Sequence, residues 1–251
     1  MKKYFIITGA SRGIGQVFAE TLLDENHILF LISSSEHTEI GQKAILKNCQ
    51  VHSIVYDLSE LSGIDRLISN LFDHIEKKDC SGLYLVNNAA VTEPVKPVDR
   101  LNADEIQANL NVNYLAPVLL SSSFIRLADK FKAEKNILNI TSGAAASPHY
   151  GLSLYCSAKA ALDQFTRCVA VEQSNRKNPV KLHSISPGFV DTRMLKSLTE
   201  KSLDDFAGRP MFEEVYRSGK AADAQVVGKR IISLWLKGRF RHGEVSHIGE
   251  Y

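Results

Sequence analysis

The sequence predicts an α/β fold, with a parallel β-sheet covered by helices on both faces. Short apolar runs alternate with longer segments of helical periodicity along the chain of 251 residues, and this alternation is typical of βαβ units. The apolar runs are continuous, which indicates strands that are buried on both sides. No low-complexity linker or internal repeat divides the chain. We therefore expect a single domain over residues 1–251.

Seven apolar runs predict the strands of the sheet. They cover residues 4–8, 28–33, 51–56, 83–86, 136–141, 180–186 and 244–248. Segments with apolar residues at helical spacing predict the helices between them. These segments cover residues 14–23, 38–47, 61–75, 103–131 (one long helix or two), 153–172 and 223–236. Because crossovers between parallel strands are right-handed, we expect a Rossmann-type doubly wound sheet of about seven strands.

Residues 195–219 depart from this regular pattern. The segment is polar, and it is interrupted by Gly208, Arg209 and Pro210, which disfavour a regular element. Long irregular connections in compact domains are usually functional. We expect this segment to form a substrate loop or lid rather than a second domain.

The composition is that of an ordinary globular protein. The formal net charge is +2, and 44% of the residues are hydrophobic. So small a charge argues against nucleic acid or an anionic membrane as the main partner, and no apolar stretch reaches the roughly 18 residues of a membrane span. The lysines near the N-terminus precede a short apolar run ending in Thr8 and Gly9, which fits a buried strand better than a signal peptide.

The cysteines and histidines indicate neither a disulfide framework nor a metal site. Cys49, Cys80, Cys156 and Cys168 form no CxxC pair, and no histidine cluster lies beside them at zinc spacing. Reduced thiols are the default in the cytosol. The sequence therefore predicts a cytoplasmic protein that binds no metal.

A glycine-rich loop joins the first predicted strand to the first predicted helix. Its sequence, TGASRGIG, occupies residues 8–15. The first glycine permits a tight turn, the second lets the backbone approach a pyrophosphate, and the third lets helix and strand pack closely. The helix N-terminus then offers free N–H groups to a phosphate. The predicted cofactor-binding residues of this loop are Gly9, Ser11, Arg12, Gly13, Ile14 and Gly15.

The end of the second predicted strand favours NADP over NAD. An NAD site usually places an acidic residue there to bind the ribose hydroxyls, whereas this strand ends in Ser33, Ser34 and Ser35. Serine hydroxyls can donate hydrogen bonds to a 2′-phosphate, and Arg12 adds a positive charge nearby. Glu36 is the alternative, since it takes the acidic role if the strand extends further. We predict NADP(H), with Ser33 and Ser34 at the phosphate.

Tyr155 and Lys159 are four residues apart, so on a helix they share one face. A free tyrosine ionises near pH 10, and a nearby ammonium group lowers the pKa of a phenol. A phenol adjusted in this way can protonate the oxygen of a carbonyl that receives a hydride. Alone, the pair would be more typical of a structural contact on a helix surface.

Two further polar residues support a chemical role for this pair. Ser142 follows a predicted strand and can donate a hydrogen bond to the same carbonyl oxygen. Asn113 lies in the long helical segment and can hold a water molecule that feeds protons to Lys159; the alternative for Asn113 is a satisfied polar residue between helices. These residues predict a reductase site of Asn113, Ser142, Tyr155 and Lys159.

The motifs together resemble the short-chain dehydrogenase/reductase family over nearly the whole chain. The ordered set comprises TGASRGIG, Asp57-Leu58, Asn87-Asn88-Ala89-Ala90, Asn113, Ser142, Tyr155, Lys159 and the PGFVDT segment at 187–192. The resemblance implies that Ser142, Tyr155 and Lys159 form a catalytic triad, which Asn113 extends to a tetrad. It also implies homodimers or homotetramers that pack through the long helices around Asn113 and Tyr155.

The resemblance also implies where the remaining parts of the cofactor bind. The adenine would lie by Asp57 and Leu58, and the ribose by Asn88 and Ala89. Val190 and Thr192 would hold the nicotinamide carboxamide. Ala90 departs from the family pattern, which usually has glycine there, and adds one methyl group near the cofactor. The implied set is Asp57, Leu58, Asn88, Ala89, Tyr155, Lys159, Pro187, Gly188, Val190 and Thr192.

Within the family, the segments around Tyr155 and 186–194 and the C-terminal Gly243-Glu244-Val245 are similar to sepiapterin reductases and bacterial benzil reductases. Both reduce carbonyls, often vicinal dicarbonyls, with NADPH. Sepiapterin reductases carry an aspartate near the C-terminus that anchors the pterin, and His247 takes its place here. A neutral imidazole supplies no fixed negative charge, which disfavours a pterin substrate; the alternative is that His247 has no role.

The substrate pocket is expected to be mostly apolar. His149 and Tyr150 follow the strand that ends at Ser142 and should form one wall, while Phe189 and Met194 should form the opposite wall. Such a pocket suits an aromatic or aliphatic ketone. The leading hypothesis is therefore an NADPH-dependent carbonyl reductase. The alternatives are an NAD-linked alcohol dehydrogenase and a dinucleotide-binding sensor without turnover.

Overall fold

The computed structural model describes residues 1–35 and 40–251. Seven strands in these residues form one parallel sheet in the order β3-β2-β1-β4-β5-β6-β7. They are β1 Lys2–Thr8, β2 His27–Ser33, β3 Gln50–Val55, β4 Cys80–Asn87, β5 Glu134–Ile140, β6 Lys181–Ser186 and β7 Val245–His247. The predicted α/β fold with a doubly wound parallel sheet is confirmed.

Helices cover both faces of the sheet. They are α1 Gly13–Thr21, α2 Ile40–Leu46, α3 Ile64–Asp73, α4 Ala103–Leu110, α5 Ala116–Ala128, α6 Ser153–Ser174, α7 Arg193–Thr199, α8 Arg209–Arg217 and α9 Ala224–Leu236. On one face α1 packs against α9, and on the other α3 packs against α5. Among the described residues, no helix combines the length and the apolar character needed to cross a membrane.

The core lies in two layers, one on each face of the sheet. Successive side chains of a strand point to opposite faces, and β1 shows the consequence. Ile6 lies in the layer that contains Phe124 of α5, whereas Phe5 and Ile7 lie in the layer that contains Phe18 of α1. All five side chains are almost completely buried. A strand with two buried faces must be continuously apolar. For this reason the apolar runs of the sequence predict strands such as β1 correctly.

The long helical segment predicted over 103–131 is interrupted by a turn of a different kind. A π-helical turn, Asn111–Leu115, lies between α4 and α5. Pro117 at the start of α5 has no N–H group and cannot donate to the carbonyl of Asn113 four residues earlier. The interruption therefore falls where the α-helical hydrogen-bond pattern loses a donor.

Residues 195–219 are more regular than the sequence predicts. The segment contains the end of α7 and the whole of α8, and Phe206 between them is completely buried. Gly208, Arg209 and Pro210, expected to interrupt any element, instead begin α8. Proline is favoured in the first turn of a helix because the N–H it lacks has no partner there. The expected irregular structure is therefore wrong for 209–217, and the role as a lid stays a prediction.

The strand order places a crevice between β1 and β4. The chain adds strands on one side of β1 up to β3, then returns and adds β4 to β7 on the other side. Ligands of open α/β sheets bind beyond the carboxyl ends of the strands at such a switch point. The glycine-rich loop follows β1 and Asn88 follows β4, so both predicted motifs border this crevice.

Two histidines tie the end of the sheet to the C-terminal loop. The Nδ1 of His183 on β6 is 2.9 Å from the carbonyl oxygen of Arg241. His242 accepts from the N–H of Leu182 at 3.1 Å and donates to the carbonyl of Ala170 at 3.0 Å. Burial lowers the pKa of His183 to about 4, although its bond to the Arg241 carbonyl opposes the shift. The folded protein therefore holds this imidazole neutral.

His183 makes the fold sensitive to acid. The unfolded chain binds a proton at this imidazole near pH 6.5, whereas the folded chain binds it only near pH 4. The free energy of unfolding therefore has its full value above pH 6.5 and declines as the pH falls toward 4. Between pH 7.5 and 5 the wild type should lose about 2 kcal/mol more unfolding free energy than His183→Gln. Urea unfolding at one protein concentration measures the difference. Equal losses in both proteins would show that His183 does not titrate in this range.

Candidate active site

The glycine-rich loop is fixed by contacts too close for any side chain. A Cβ on Gly15 would lie 2.2 Å from the carbonyl oxygen of Gly9 and 2.4 Å from the Nδ2 of Asn88. Gly9 has a φ of 65°, and a Cβ there would lie 2.7 Å from the Cα of Ala89. The first and third glycines are therefore required by packing at the ends of β1 and β4.

Asn88 binds the protein rather than facing the crevice freely. Its Nδ2 donates to the carbonyls of Thr8 and Gly9, both at 3.0 Å. The hydroxyl of Thr8 accepts from the backbone N–H of Asn88 at 3.0 Å and of Ala89 at 3.1 Å. The predicted place of Asn88 and Ala89 beside the ribose stays a prediction, and the structure adds a role for Asn88 in shaping the loop.

The first turn of α1 fits the phosphates of a dinucleotide. No side chain caps this helix at Arg12, and the helix begins in the loop that follows β1. A Cβ on Gly13 would lie 3.5 Å from the Cγ2 of Thr192, so the glycine loop and the 187–192 loop meet across the crevice. Ser11 and Ile14 are half-buried and Arg12 is exposed in this loop. Uncapped N–H groups at a helix N-terminus are typical of a phosphate site.

The predicted 2′-phosphate contacts divide between buried and exposed serines. Ser33 is buried, and its hydroxyl donates to the carbonyl of Ser35 at 2.5 Å. Ser34 is exposed at the end of β2. This arrangement favours Ser34 over Ser33 for contact with a ligand. Glu36, the alternative acidic residue, lies outside the described residues, as does the predicted helix start at Thr38.

The two residues expected near the adenine follow β3. Leu58 is buried, and Asp57 is exposed. The Oδ1 of Asp57 accepts from the backbone N–H of Ser59 at 2.9 Å, which fixes the turn. The geometry therefore offers an apolar side chain and an oriented carboxylate at this edge of the crevice.

Ser142, Tyr155 and Lys159 meet at the carboxyl end of β5. The Oγ of Ser142 accepts from the N–H of Ala144 at 3.2 Å, and Ser142 is close enough to Tyr155 to act against the rise in the pKa of that phenol. The Nζ of Lys159 donates to the carbonyl of Ile140 at 3.0 Å and lies 5.7 Å from the centre of the Tyr155 ring. Residues from two elements, distant in the sequence, are therefore brought into one group.

Burial shifts the pKa values of Tyr155 and Lys159 in opposite directions. It raises the pKa of Tyr155 to about 12, and the hydrogen bond from Ser142 opposes this shift. It lowers the pKa of Lys159 to about 8, and the charge of Asp163 opposes that shift. The sequence predicts that Lys159 lowers the tyrosine pKa, but in this structure desolvation outweighs such an effect. Tyr155 is therefore a protonated phenol at neutral pH.

Both N–H groups of the Asn113 side chain donate to the protein. Its Nδ2 donates to the carbonyl of Val91 at 2.8 Å and to the Oδ1 of Asn109 at 3.0 Å. Its Oδ1 accepts from the N–H of Val91 at 3.0 Å. The amide thus holds the segment after β4 against the π-helical turn, and Pro117 leaves the main-chain carbonyl of Asn113 without its α-helical donor.

The 187–192 loop approaches the crevice from β6. Val190 is buried and forms a bridge with Ala222, and the hydroxyl of Thr192 caps α7 by accepting from the N–H of Leu195 at 3.4 Å. Pro187 and Gly188 are half-buried at the start of the loop. The four implied cofactor residues lie together, with Thr192 facing the glycine-rich loop.

His247 lies beside this loop. A Cβ on Gly188 would lie 3.1 Å from its Nε2. Its Nδ1 accepts from the N–H of Gly249 at 3.0 Å, so in the neutral ring the proton is on Nε2. His247 therefore presents an N–H donor toward Gly188, with no negative charge.

An aromatic cluster, defined here as His149, Phe189, Phe206 and Phe212, borders the predicted substrate space. Phe212 of α8 is at its centre: its ring centre lies 5.7 Å from that of His149, 5.6 Å from Phe189 and 5.1 Å from Phe206. The walls predicted at His149 and Phe189 are therefore joined through Phe212. Sequence reasoning missed Phe206 and Phe212, although both are apolar residues in a polar segment.

The other predicted wall residues are more peripheral. Tyr150 is 54% exposed, and Met194 is half-buried on α7. Ion pairs hold the segment that carries α8: Lys201 contacts Glu93 at 2.5 Å, and Arg100 contacts Asp205 at 2.9 Å. The segment therefore rests against the residues that follow β4.

Comparison with known proteins identifies the family. The model of the short chain dehydrogenases matches residues 3–203. The chain belongs to this family. Short-chain dehydrogenases are oxidoreductases that bind a nicotinamide dinucleotide. The closely packed glycines of the loop at 8–15 and the uncapped N-terminus of α1 fit this cofactor. The resemblance seen in the sequence motifs is thereby confirmed.

Named relatives within the family cover almost the whole chain. A benzil reductase ((S)-benzoin forming) of Bacillus cereus is 34% identical over 250 residues, which are 99% of this chain and 100% of the relative. Sepiapterin reductase of Bos taurus is 27% identical, over 98% and 93% of the two chains. The solved structure of the KRED1-Pglu enzyme has a TM-score of 0.80 at 25% identity, over 94% of this chain and 95% of that one.

Gly15→Ala tests the dinucleotide loop of this short-chain dehydrogenase. The added methyl group would displace the Gly9 carbonyl or Asn88, and with them the N–H groups at the start of α1. NADPH should bind roughly tenfold more weakly or worse, because hydrogen bonds to charged groups contribute about 1.5–3 kcal/mol each. Fluorescence titration with NADPH measures the affinity.

Gly41→Ala is the matched control, because a Cβ at this position of α2 has nothing within 4 Å. It should bind NADPH as the wild type does. Unchanged affinity in Gly15→Ala would mean that the loop can shift without cost and that Gly15 is not required for the cofactor.

Proposed function

We propose that this short-chain dehydrogenase reduces an aromatic vicinal dicarbonyl, of the benzil type, to the hydroxyketone with NADPH. The observation that carries the proposal is the meeting of the buried Tyr155 phenol with the buried Lys159 ammonium group, whose Nζ lies 5.7 Å from the ring centre, at the end of the strand that Ser142 follows. The benzil reductase of Bacillus cereus, similar over the full length, supports the substrate class.

Tyr155 acts as the general acid in this proposal. The cofactor, when bound, supplies the hydride that reaches the carbonyl carbon. The phenol of Tyr155 donates its proton to the carbonyl oxygen, and Ser142 orients that oxygen by a second hydrogen bond. A tyrosine pKa of about 12 keeps the proton on Tyr155 at neutral pH, so the phenol is in the form that can act as an acid.

Lys159 and Asn113 support this proton transfer. The ammonium group of Lys159 stabilises the phenolate that forms when Tyr155 gives up its proton. Asn113 holds the backbone of Val91, and its main-chain carbonyl is the group proposed to bind a water that returns a proton to Lys159. Both side-chain N–H groups of Asn113 are already used, so only oxygen atoms of Asn113 are left to bind that water.

The aromatic cluster supports an aryl ketone as the substrate. Phe189 is 41% exposed and stands edge-on to the buried Phe212, at an interplanar angle of 90°. Aryl rings of a substrate pack well against such edges and faces. His247 contributes an N–H donor where a pterin would need a negative charge, so the proposal favours dicarbonyls over pterins.

NADP rather than NAD is part of the proposal. The exposed Ser34 hydroxyl and the exposed Arg12 guanidinium are the groups proposed to bind the 2′-phosphate. Arginine is suited to this task because its planar fork matches phosphate oxygens. We also propose that the protein acts in the cytosol.

A homodimer or homotetramer is proposed from exposed apolar residues. Leu115 and Leu119, on the π-helical turn and α5, are 39% and 37% exposed, and Val171 of α6 is 68% exposed. Apolar side chains on neighbouring long helices are typical of a subunit interface. They agree with the helix-mediated assembly expected from the family resemblance.

Turnover of benzil tests the proposed function. Purified wild type should consume NADPH rapidly with benzil and roughly tenfold or more slowly with sepiapterin, because buried polar groups of a pterin would lack partners. Tyr155→Phe should reduce kcat by about 10²–10⁴, the contribution of a positioned acid, and should bind NADPH normally. Stopped-flow absorbance of NADPH measures the rates.

Two results would contradict this proposal. Efficient turnover of sepiapterin would show that a carboxylate at position 247 is dispensable for pterins. Full activity of Tyr155→Phe would show that another group donates the proton.

Arg12→Ala tests the cofactor preference. The variant should bind NADPH roughly tenfold more weakly, the loss expected for one charge-assisted hydrogen bond, and should bind NADH as before. Arg239→Ala, at an exposed site after α9, is the control that removes an equal charge. Equal weakening toward both cofactors would assign Arg12 to the pyrophosphate instead.

A further inference from the structure

His149 carries an imidazole that the folded chain does not use for its own structure. The ring nitrogens of His27, His183 and His242 all bind main-chain groups. Those of His149, which is half-buried, have no hydrogen-bond partner in the part of the chain that the structure describes. Burial lowers the pKa of His149, so at neutral pH the ring is neutral and offers one N–H donor and one acceptor.

The imidazole is held on the same apolar cluster as the proposed general acid. Ala144 and Leu152, which flank His149 in the loop after β5, belong with Tyr155 and Phe212 to one buried cluster. The carbonyl of His149 accepts from the N–H of Leu152 at 3.1 Å, which fixes the loop. The ring packs against that of Phe212 at an interplanar angle of 71°. The side chain therefore borders the space in front of Tyr155 with its orientation set by an aromatic contact.

Other polar side chains around this cluster are already bound to the protein. Tyr216 packs against the cluster, and its hydroxyl donates to the carboxylate of Asp191. Cys156 also packs there, and its Sγ lies 3.9 Å from the carbonyl oxygen of Ser147. The buried members of the cluster, apart from the phenol of Tyr155, are apolar. On this wall His149 is thus left with a free N–H donor.

A vicinal dicarbonyl needs such a donor, whereas a simple ketone does not. In the proposed function Tyr155 and Ser142 bind the oxygen of the carbonyl that is reduced. The second carbonyl is on the adjacent carbon and enters the same apolar space. A carbonyl oxygen that leaves water without a new hydrogen bond costs free energy. A donor in the wall beside Tyr155 removes that cost.

We propose that His149 is a specificity-determining residue that donates a hydrogen bond to the second, unreduced carbonyl oxygen of a vicinal dicarbonyl. This inference rests on the proposed function. The hydrogen bond holds the substrate so that one carbonyl is presented to Tyr155. It also draws electron density away from the neighbouring carbon that receives the hydride, so it acts on the reaction as well as on binding.

His149→Phe tests the proposal, because it keeps an aromatic ring against Phe212 and removes the N–H donor. The kcat/KM for benzil should fall roughly tenfold, the effect of leaving one buried carbonyl unpaired. The kcat/KM for deoxybenzoin, which has the same two phenyl rings and a single carbonyl, should not fall. The variant is compared with the wild type for each substrate, which cancels the difference in their intrinsic reactivity. Initial rates of NADPH loss measure both values.

Three further variants separate a hydrogen bond from packing. His149→Gln keeps an N–H donor without the ring and should restore most of the activity with benzil. His74→Phe makes the same substitution at an exposed position after α3, and it should leave both substrates unaffected. His247→Phe removes the other N–H donor, beside Gly188. A loss specific to benzil in His247→Phe but not in His149→Phe would overturn the inference, as would an equal loss for both substrates in His149→Phe.

A binding measurement separates this inference from the proposed function. Protein labelled with ¹⁵N in the histidine rings is saturated with NADP⁺, which cannot reduce the ligand. Benzil should then shift the ¹⁵N resonances of His149, assigned with His149→Gln, and deoxybenzoin should leave them near their free values. Unchanged resonances with benzil would overturn the inference. A shift in a protein that does not reduce benzil would support the inference and reject the proposed function.

Discussion

The architecture depends on the contact between the first turn of α1 and the ends of β1 and β4. Gly15 lies so close to the Gly9 carbonyl that a single added carbon would overlap it. Asn88 closes the same junction by donating to the carbonyls of Thr8 and Gly9. This contact fixes the N-terminus of α1 at the point where the strand order reverses. The crevice, and every group that borders it, is positioned relative to this junction.

The second constraint is the burial of polar groups on α6. Tyr155 and Lys159 follow one another at an interval of one turn, both are buried, and the Nζ of Lys159 donates to the carbonyl of Ile140 at the end of β5. Desolvation moves the pKa of Tyr155 and Lys159 away from their ordinary values, while hydrogen bonds and the carboxyl of Asp163 act against it. Burial therefore affects the protonation of both groups at this site.

The substrate side of the crevice is built differently from the cofactor side. The cofactor side is formed by glycines in close backbone contact and by backbone hydrogen bonds. Few substitutions fit such contacts. Ring contacts around Phe212 form the substrate side, and ion pairs such as Lys201 with Glu93 hold it against the body of the protein. Surface ion pairs contribute little free energy, so this segment is the part of the site most easily altered.

The sequence by itself determined the sheet, its strands and the motifs at its edge. A strand buried on both faces must be continuously apolar, and a backbone that meets another backbone must be glycine, so both leave local patterns. Only the tertiary structure decided the rest. Phe212 carries no local pattern, because its role arises from neighbours more than 20 residues away, such as His149 and Phe189. The same holds for Ser33 and Asn113: the residue types indicated ligand contacts, but the folded chain uses their polar atoms to bind its own backbone.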